Sequence, residues 1–293
     1  MVVRKAKEEE TVKKTVRFGE QAAVPAIGLG TWYMGENSAQ RPQEVAALRA
    51  GIDHGLTVID TAEMYADGGA EEVVGQAIRG LRDRVVLVSK VYPWHAGGTA
   101  MRRACENSLR RLQTDYLDMY LLHWRGDIPQ ETVEAMERLL AEGKIRRWGV
   151  SNLDTDDMQA LWRTAGGERC ATNQVLYHLA SRGIEYDLLP WCQQHTLPVM
   201  AYCPLAQAGR LRDGLFQHTD IINMANARGV TVAQLLLAWV IRHPGVLAIP
   251  KAASIEHVVQ NAAALDIVLS AEELAQLDRL YPPPQRKNRL DMV

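Results

Sequence analysis

The chain has 293 residues, 47% of them hydrophobic and 23% charged, with a formal net charge of −2. That length suffices for one large barrel or two smaller units with a sizeable core. The near-neutral charge, with no long basic run, excludes the electrostatic footprint of a nucleic-acid partner.

Residues 1–14, MVVRKAKEEETVKK, form a charged extension without the apolar core of a signal peptide. No run reaches the roughly 18 apolar residues of a membrane span. A cytoplasmic protein with no membrane partner is therefore expected. Cys105, Cys170, Cys192 and Cys203 form no CxxC pair and stand at no metal-ligand spacing with histidine. Four reduced thiols and no metal site are expected from that pattern.

TVRF and AVPA flank a polar turn at Gly19 and predict a small hairpin that plugs the bottom of a barrel. AIGLGTW (26–32) reads as a strand, and 43–54 as a helix with Val45, Leu48 and Ile52 on one face and Gly55 as its stop. TVIDTA (57–62) and VVLVSK (85–90) are the next strands, followed by helices at 70–79 and 99–112. YLDMYLLH (116–123), IRRWGVS (145–151) and ATNQVLY (171–177) continue the alternation, with helices at 130–141, 154–165 and 185–194. LPVMAYCP (197–204) leads to helices at 218–228 and 231–242, the second opened by a capping box of Thr231 and Gln234. GVLAIPK (245–251) is the eighth barrel strand, with a helix at 255–264. A last helix begins at Ser270, with Glu273 at capping-box spacing, and YPPPQRKNRLDMV runs on as an extended tail.

Strand–helix units repeated with short connections predict a parallel sheet, and eight of them in this length predict a closed (β/α)₈ TIM barrel. The expected organisation is one α/β barrel over 15–293, with an N-terminal β-hairpin and two extra helices. The runner-up is an open doubly wound sheet. That fold usually carries GxGxxG after its first strand, whereas this chain has GLGTWYMG with a different glycine spacing.

In a barrel the carboxyl ends of the strands build the site. Here those ends carry Trp32, Asp60, Lys90, His123, Ser151, Asn152, Gln174, Tyr202 and Lys251. Singly, each has a bland reading: Asp60 as a loop cap, Lys90 as a solvated strand end, His123 as a neutral histidine on a backbone partner. Together they are harder to dismiss, because a strand end needs no acid, base or amide for stability. VVLVSK and YLDMYLLH are apolar until they end in a lysine and a histidine. A charge at the mouth of a buried barrel is costly unless paired, and Asp60 is the natural partner of Lys90. Tyr65 lies five residues beyond Asp60 in a loop over the same rim. A neighbouring ammonium would stabilise the tyrosinate and lower the tyrosine's pKa below its usual value of about 10.

Several blocks, in order, resemble the aldo-keto reductase family. They are GLGTW (28–32), GLTVIDTAEMYADGGAEEVVGQAI (55–78), LVSK (87–90), YLLHW (120–124), GVSN (149–152), NQV (173–175), AYCPLA (201–206) and IPKAAS (249–254). The likeness spans the chain from about residue 15 onward, and it is closest to a bacterial branch that reduces methylglyoxal and other small dicarbonyls. It implies reduction of small aldehydes and ketones by hydride transfer from NADPH, with NADH a weaker alternative. Tyr65 is then the proton donor, Lys90 paired with Asp60 tunes it, and His123 orients the carbonyl. Ser151, Asn152 and Gln174 would hold the nicotinamide carboxamide, Tyr202 would stack on the ring, and Pro204 and Leu205 would adjoin it. Lys251, Ser254, His257 and Asn261 would meet the adenosine end. Trp32, Tyr33, Trp94, Trp124 and His123 would wall the substrate pocket, with the last dozen residues closing one side.

The chain departs from the family pattern where Ala252 stands for a serine or threonine, His257 for an arginine and Gln260 for a glutamate. Losing that arginine weakens selection for NADPH, while Lys251 still favours a phosphate. The expected partner is a small carbonyl compound, and the expected state is a monomer. Two other classes compete: a non-catalytic cofactor-sensing subunit, against which the intact Asp60, Tyr65, Lys90 and His123 argue, and a barrel aldolase using Lys90 as a Schiff-base amine.

Overall fold

The apolar runs of the sequence become eight short parallel strands in the order of the chain. The computed structural model describes residues 14–127, 129–206 and 210–293. A two-stranded antiparallel hairpin comes first, β1 (Thr15–Val16) and β2 (Val24–Pro25). The parallel sheet then comprises β3 (Leu29–Gly30), β4 (Val58–Asp60), β5 (Val86–Val91), β6 (Met119–Leu122), β7 (Trp148–Ser151), β8 (Asn173–Leu176), β9 (Val199–Tyr202) and β10 (Val246–Ala248). Each strand pairs with its sequence neighbours.

The two ends of this series also meet. Parallel bridges join Ile27 to Ala248 and Gly30 to Lys251. The Gly28 N–H donates to Ala248 O at 2.8 Å, and the Gly30 N–H to Pro250 O at 3.0 Å. The sheet is therefore a closed barrel, and the open doubly wound alternative falls. Buried on both faces, its strands are near-continuous apolar runs, which is why VLVSKV and MYLL lack a polar alternation.

Helices α1 (Arg41–Asp53), α2 (Gly69–Ala77), α3 (Gly98–Leu112), α4 (Pro129–Ala141), α5 (Thr155–Arg163) and α6 (Leu188–Gln194) come after the first six barrel strands in turn. After β9 come α7 (Arg210–Phe216), α8 (Thr219–Arg228) and α9 (Val232–Val240). After β10 come α10 (Ile255–Ala263) and α11 (Ala271–Leu280). Capping boxes begin α5 at Asp154, α9 at Thr231 and α11 at Ser270. The last two match the spacing read from sequence.

The structure departs from the sequence expectation in three places. Helix α7 is absent from that expectation, so among the described residues three helices stand outside the eight repeats instead of two. The strands are shorter than their apolar runs, and α6 begins at Leu188 after a 3₁₀ turn at Gly183–Glu185 rather than at 185. Residues 1–13 of the charged extension lie outside the described residues.

The hairpin lies where expected. Gly19 makes its turn with φ +59°, and Val16, Phe18 and Val24 are buried against the amino ends of the strands. Ala26 N–H then bonds Lys14 O at 2.9 Å as the chain enters β3. The polar strand ends thus lie at the opposite rim. The tail after α11 forms no helix or strand but is tied down. Lys287 Nζ reaches Asp187 Oδ1 at 2.8 Å and Asp154 Oδ1 at 2.5 Å, and Ser181 Oγ donates to Asp291 Oδ2 at 2.5 Å. No single helix among the described residues is long and apolar enough to cross a membrane.

The barrel seam gives a test. A Cβ added at Gly30 would lie 2.5 Å from Ile249 O across the closing bridge. Gly30→Ala should therefore lower unfolding stability by about 1–3 kcal/mol in urea titration, as overpacking does elsewhere.

Candidate active site

The inside–outside alternation of β5 turns Lys90 into the barrel, where its side chain is fully buried. An ammonium in that position must have all three N–H groups satisfied. Its Nζ donates to Asp60 Oδ2 at 2.7 Å, to Thr61 O at 2.9 Å and to Tyr65 Oη at 3.0 Å. The other oxygen of Asp60 accepts from Gln174 Nε2 at 2.8 Å. One carboxylate at the end of β4 thus links an amide on β8 to an ammonium on β5, and the ammonium to the tyrosine.

Burial sets the charge states. It pushes the Tyr65 phenol well above 10, and the Asp60 carboxylate adds to the rise. This corrects the expectation that Lys90 lowers the tyrosine's pKa, because burial first and the Asp60 charge second favour the neutral phenol. At neutral pH Tyr65 therefore keeps its proton. Burial pulls Lys90 below its usual range, and Asp60 opposes that pull. His123 is held neutral, its pKa pushed down to about 2 by burial and the Lys90 charge. Its Nδ1 is buried without a hydrogen-bond partner. The imidazole meets the Tyr65 ring edge-on at 5.7 Å between centroids.

The next strand ends carry a second network. Asn152 takes a left-handed conformation (φ +59°), one that asparagine tolerates better than most residues. Its Nδ2 donates to His123 O and to Ser151 Oγ, each at 3.3 Å, and its Oδ1 accepts from Tyr202 Oη at 2.9 Å. Ser151 Oγ donates to Gln174 O at 2.8 Å.

These groups open into a cavity of about 660 Å³ at the carboxyl end of the barrel. Its wall brings together Asp60, Tyr65, His123, Ser151, Asn152, Gln174, Tyr202, Pro204, Leu205, Lys251, His257 and Asn261, with Trp32, Tyr33 and Trp124. Trp32 stacks on Tyr33 at 5.0 Å and lies 6.2 Å from the Tyr65 ring. Lys90 lies behind the wall, covered by Tyr65 and Asp60. Two other residues also lie outside it. Trp94 is 65% exposed, stacked on Tyr92 at 4.3 Å and edge-on to Trp124 at 5.5 Å. Ser254 caps α10, its hydroxyl accepting from His257 N–H at 3.3 Å.

Sequence reasoning missed other parts of the wall. Arg212 and Phe216 come from α7, with the guanidinium 4.2 Å over the Phe216 ring and its Nη1 donating to Leu205 O at 3.3 Å. Thr231, Val232 and Ala233 bring in the first turn of α9. The capping box was visible in the sequence, but its place at the rim was not. Val293 closes one side, as the expectation for the tail had it. Cys203 also lines the cavity, half-buried and left-handed (φ +48°), with burial pushing its thiol up to about 12.

The burial of Lys90 bears on the aldolase alternative. A Schiff-base lysine needs an accessible, uncharged amine. This one is buried, spends all its donors on protein oxygens and does not face the cavity. No group of three or more metal-ligating side chains occurs among the described residues.

A model described as the aldo/keto reductase family matches residues 26–282. The chain is 66% identical over 282 residues to the methylglyoxal reductase YeaE of Escherichia coli, covering 96% of this chain and 99% of that protein. It is 34% identical over 274 residues to the glyoxal reductase of Bacillus subtilis, covering 92% and 94%. Among solved structures, an aldo/keto reductase from Klebsiella pneumoniae in complex with NADP and acetate superposes with a TM-score of 0.95 at 94% identity. That match covers 96% of this chain and all of the other. The thermostable aldo-keto reductase Tm1743 superposes with a TM-score of 0.82 at 37% identity, covering 91% and 99%.

The depressed His123 pKa has a consequence for stability. An unfolded chain takes up the imidazole proton below about 6.5, whereas the folded chain resists it down to about 2. Stability is therefore highest above about 6.5 and falls as pH falls from there. His123→Gln should make the acid slope of unfolding free energy shallower by up to about 1.4 kcal/mol per pH unit, read from urea titrations at pH 7, 6 and 5.

Proposed function

The chain belongs to the aldo/keto reductase family and is an NADP(H)-dependent oxidoreductase, and we propose that it reduces small aldehydes and ketones, methylglyoxal among them, to alcohols with Tyr65 as the proton donor. The observation that carries this reading is the neutral Tyr65 hydroxyl in the cavity wall, 3.0 Å from a buried ammonium.

The residues present fit the cofactor. Hydroxyl and amide groups of Ser151, Asn152 and Gln174 face the cavity near Tyr65, and Tyr202 adds an aromatic face. Where α10 begins, the exposed ammonium of Lys251 and the His257 ring line the same space. Polar groups at one part and a cation near a helix start suit a nicotinamide and an adenosine phosphate. When bound, NADPH supplies the hydride that reduces the carbonyl carbon.

The protein's own contribution is proton transfer and electrostatics. His123, neutral, has one N–H to offer the carbonyl oxygen, which fixes the oxygen near the Tyr65 hydroxyl. As negative charge develops on that oxygen, Tyr65 gives up its proton to it. The phenolate left behind sits 3.0 Å from Lys90 Nζ, so the ammonium stabilises the product of the transfer rather than ionising the tyrosine beforehand. Asp60 keeps Lys90 charged and fixed, and Gln174 fixes Asp60. Trp32, Tyr33 and Trp124 give the mouth a flat aromatic lining suited to small, weakly charged carbonyl compounds. Trp94 stands one ring further out and would meet only a longer substrate. We take the working enzyme to be a cytoplasmic monomer. Its near-neutral charge supports a partner list limited to cofactor and carbonyl substrate.

Two measurements test this reading. Tyr65→Phe should lose at least about 100-fold in kcat, a typical general-acid contribution, while NADPH still quenches tryptophan fluorescence with an unchanged dissociation constant. Full turnover in that variant would remove Tyr65 from the mechanism. Lys251→Ala should raise the KM for NADPH about tenfold and leave that for NADH within twofold, the size expected for one charge-assisted phosphate contact. Equal effects on the two cofactors would show that Lys251 does not read the phosphate.

A further inference from the structure

Tyr65 heads an unusual piece of backbone. Ala66 (φ 51°, ψ 40°), Asp67 (φ 49°, ψ 42°) and Gly68 (φ 90°, ψ −5°) are three consecutive left-handed residues. Two of them carry a Cβ, which disfavours that region. Such a stretch persists only where its surroundings over-determine it.

Two supports hold it. On one side the loop after β3 packs against Gly69 so closely that a Cβ on Gly35 would overlap the Gly69 carbonyl. That loop is itself tied by the Gly35 N–H to the buried carboxylate of Glu44 at 3.0 Å. On the other side the Arg111 side chain, from α3, lies directly under Gly68, where a Cβ would overlap its guanidinium. Arg111 is fixed in turn. Its Nε and Nη2 both reach Glu71 Oε2 at 2.6 Å, and Nη2 reaches Ser108 Oγ at 3.3 Å.

Glu71 on α2 is fully buried, and its other oxygen accepts from Ser89 Oγ at 2.5 Å. Ser89 is the neighbour of Lys90 on β5 and projects to the outer face of the strand while Lys90 projects inward. The contacts therefore leave the strand that carries Lys90, cross α2 and α3, and return to the loop that carries Tyr65. The carboxylate of this pair is buried and the Arg111 side chain a quarter exposed, and an ion pair with a buried member is a poor source of net stability compared with apolar packing. Its value lies in fixing one geometry.

We infer that Arg111 and Glu71 are positioning residues for proton transfer: they lock the left-handed loop so that the Tyr65 hydroxyl stays on Lys90 and in the cavity wall. Neither touches the cavity: Arg111 acts through the Tyr65 loop, and the Glu71 charge in addition helps keep Lys90 protonated. The inference rests on the assignment of Tyr65 as proton donor.

The test compares Arg111→Met, Arg111→Lys and Ser89→Ala with the parent enzyme and with Tyr65→Phe. Each is measured for thermal unfolding, NADPH dissociation constant, kcat and KM with methylglyoxal, and the solvent deuterium isotope effect on kcat. A small misplacement of a reacting group costs rate steeply, so Arg111→Met should lower kcat about tenfold with KM and cofactor affinity within twofold. The isotope effect should rise, because a displaced hydroxyl makes proton transfer more rate-limiting. Arg111→Lys, which restores a cation opposite Glu71, should recover part of the loss. Ser89→Ala should lower kcat about threefold with the same rise in isotope effect, and it stands in where Arg111→Met fails to fold. A folded variant with unchanged kcat overturns the inference, as does a loss that tracks only the folded fraction with an unchanged isotope effect. A fully active Tyr65→Phe would instead overturn the assignment beneath it. An inactive Tyr65→Phe beside normal Arg111→Met and Ser89→Ala would sink the brace alone.

Discussion

A charged ammonium inside a parallel barrel is the constraint on which the rest of the site depends. Lys90 is fully buried from solvent, so the fold must supply three oxygen partners and a countercharge. It supplies them from Asp60, Thr61 and Tyr65, within six residues of one another on one strand end and its loop. Meeting that requirement fixes the loop after β4, brings the tyrosine hydroxyl to the cavity and fills both oxygens of Asp60. The barrel's closure matters for the same reason. Only a sealed wall keeps the field of that ammonium strong at the reacting end and keeps His123 neutral.

The electrostatics invert a simple expectation. A lysine beside a tyrosine suggests an acidified phenol, but burial first and the Asp60 charge second favour the uncharged hydroxyl. On the proposed mechanism the tyrosine then starts the cycle as an acid that holds its proton. The ammonium's influence is felt when the phenolate forms, which is when stabilisation raises the rate.

Much of this was legible in the sequence, for physical reasons. Strands buried on both faces show as apolar runs, so the polar residues that end them, Lys90 and His123, stand out without any structure. Helices with Ser, Thr or Asp caps announce their starts, as at Thr231 and Ser270. What stayed hidden depends on contacts between distant residues. Nothing local in RLRDGLF, a seven-residue segment with a glycine near its end, marks α7 or sends Arg212 to the cavity. Gln174 reads from sequence as a cofactor ligand, and its bond to Asp60 spans 114 residues, which no spacing reveals. The left-handed run after Tyr65 was equally invisible, because Ala66 and Asp67 carry no sequence signal for that backbone. The support it needs comes from Arg111 in a different helix.

Cys203 shows what the same burial does to a thiol in the cavity wall. Reactive carbonyl compounds are electrophiles that thiolates attack. With burial pushing its thiol up to about 12, Cys203 stays protonated at neutral pH. A sulfur in the wall of the cavity is thereby kept in its unreactive thiol form. The low polarity that preserves the proton on Tyr65 also preserves the proton on this thiol.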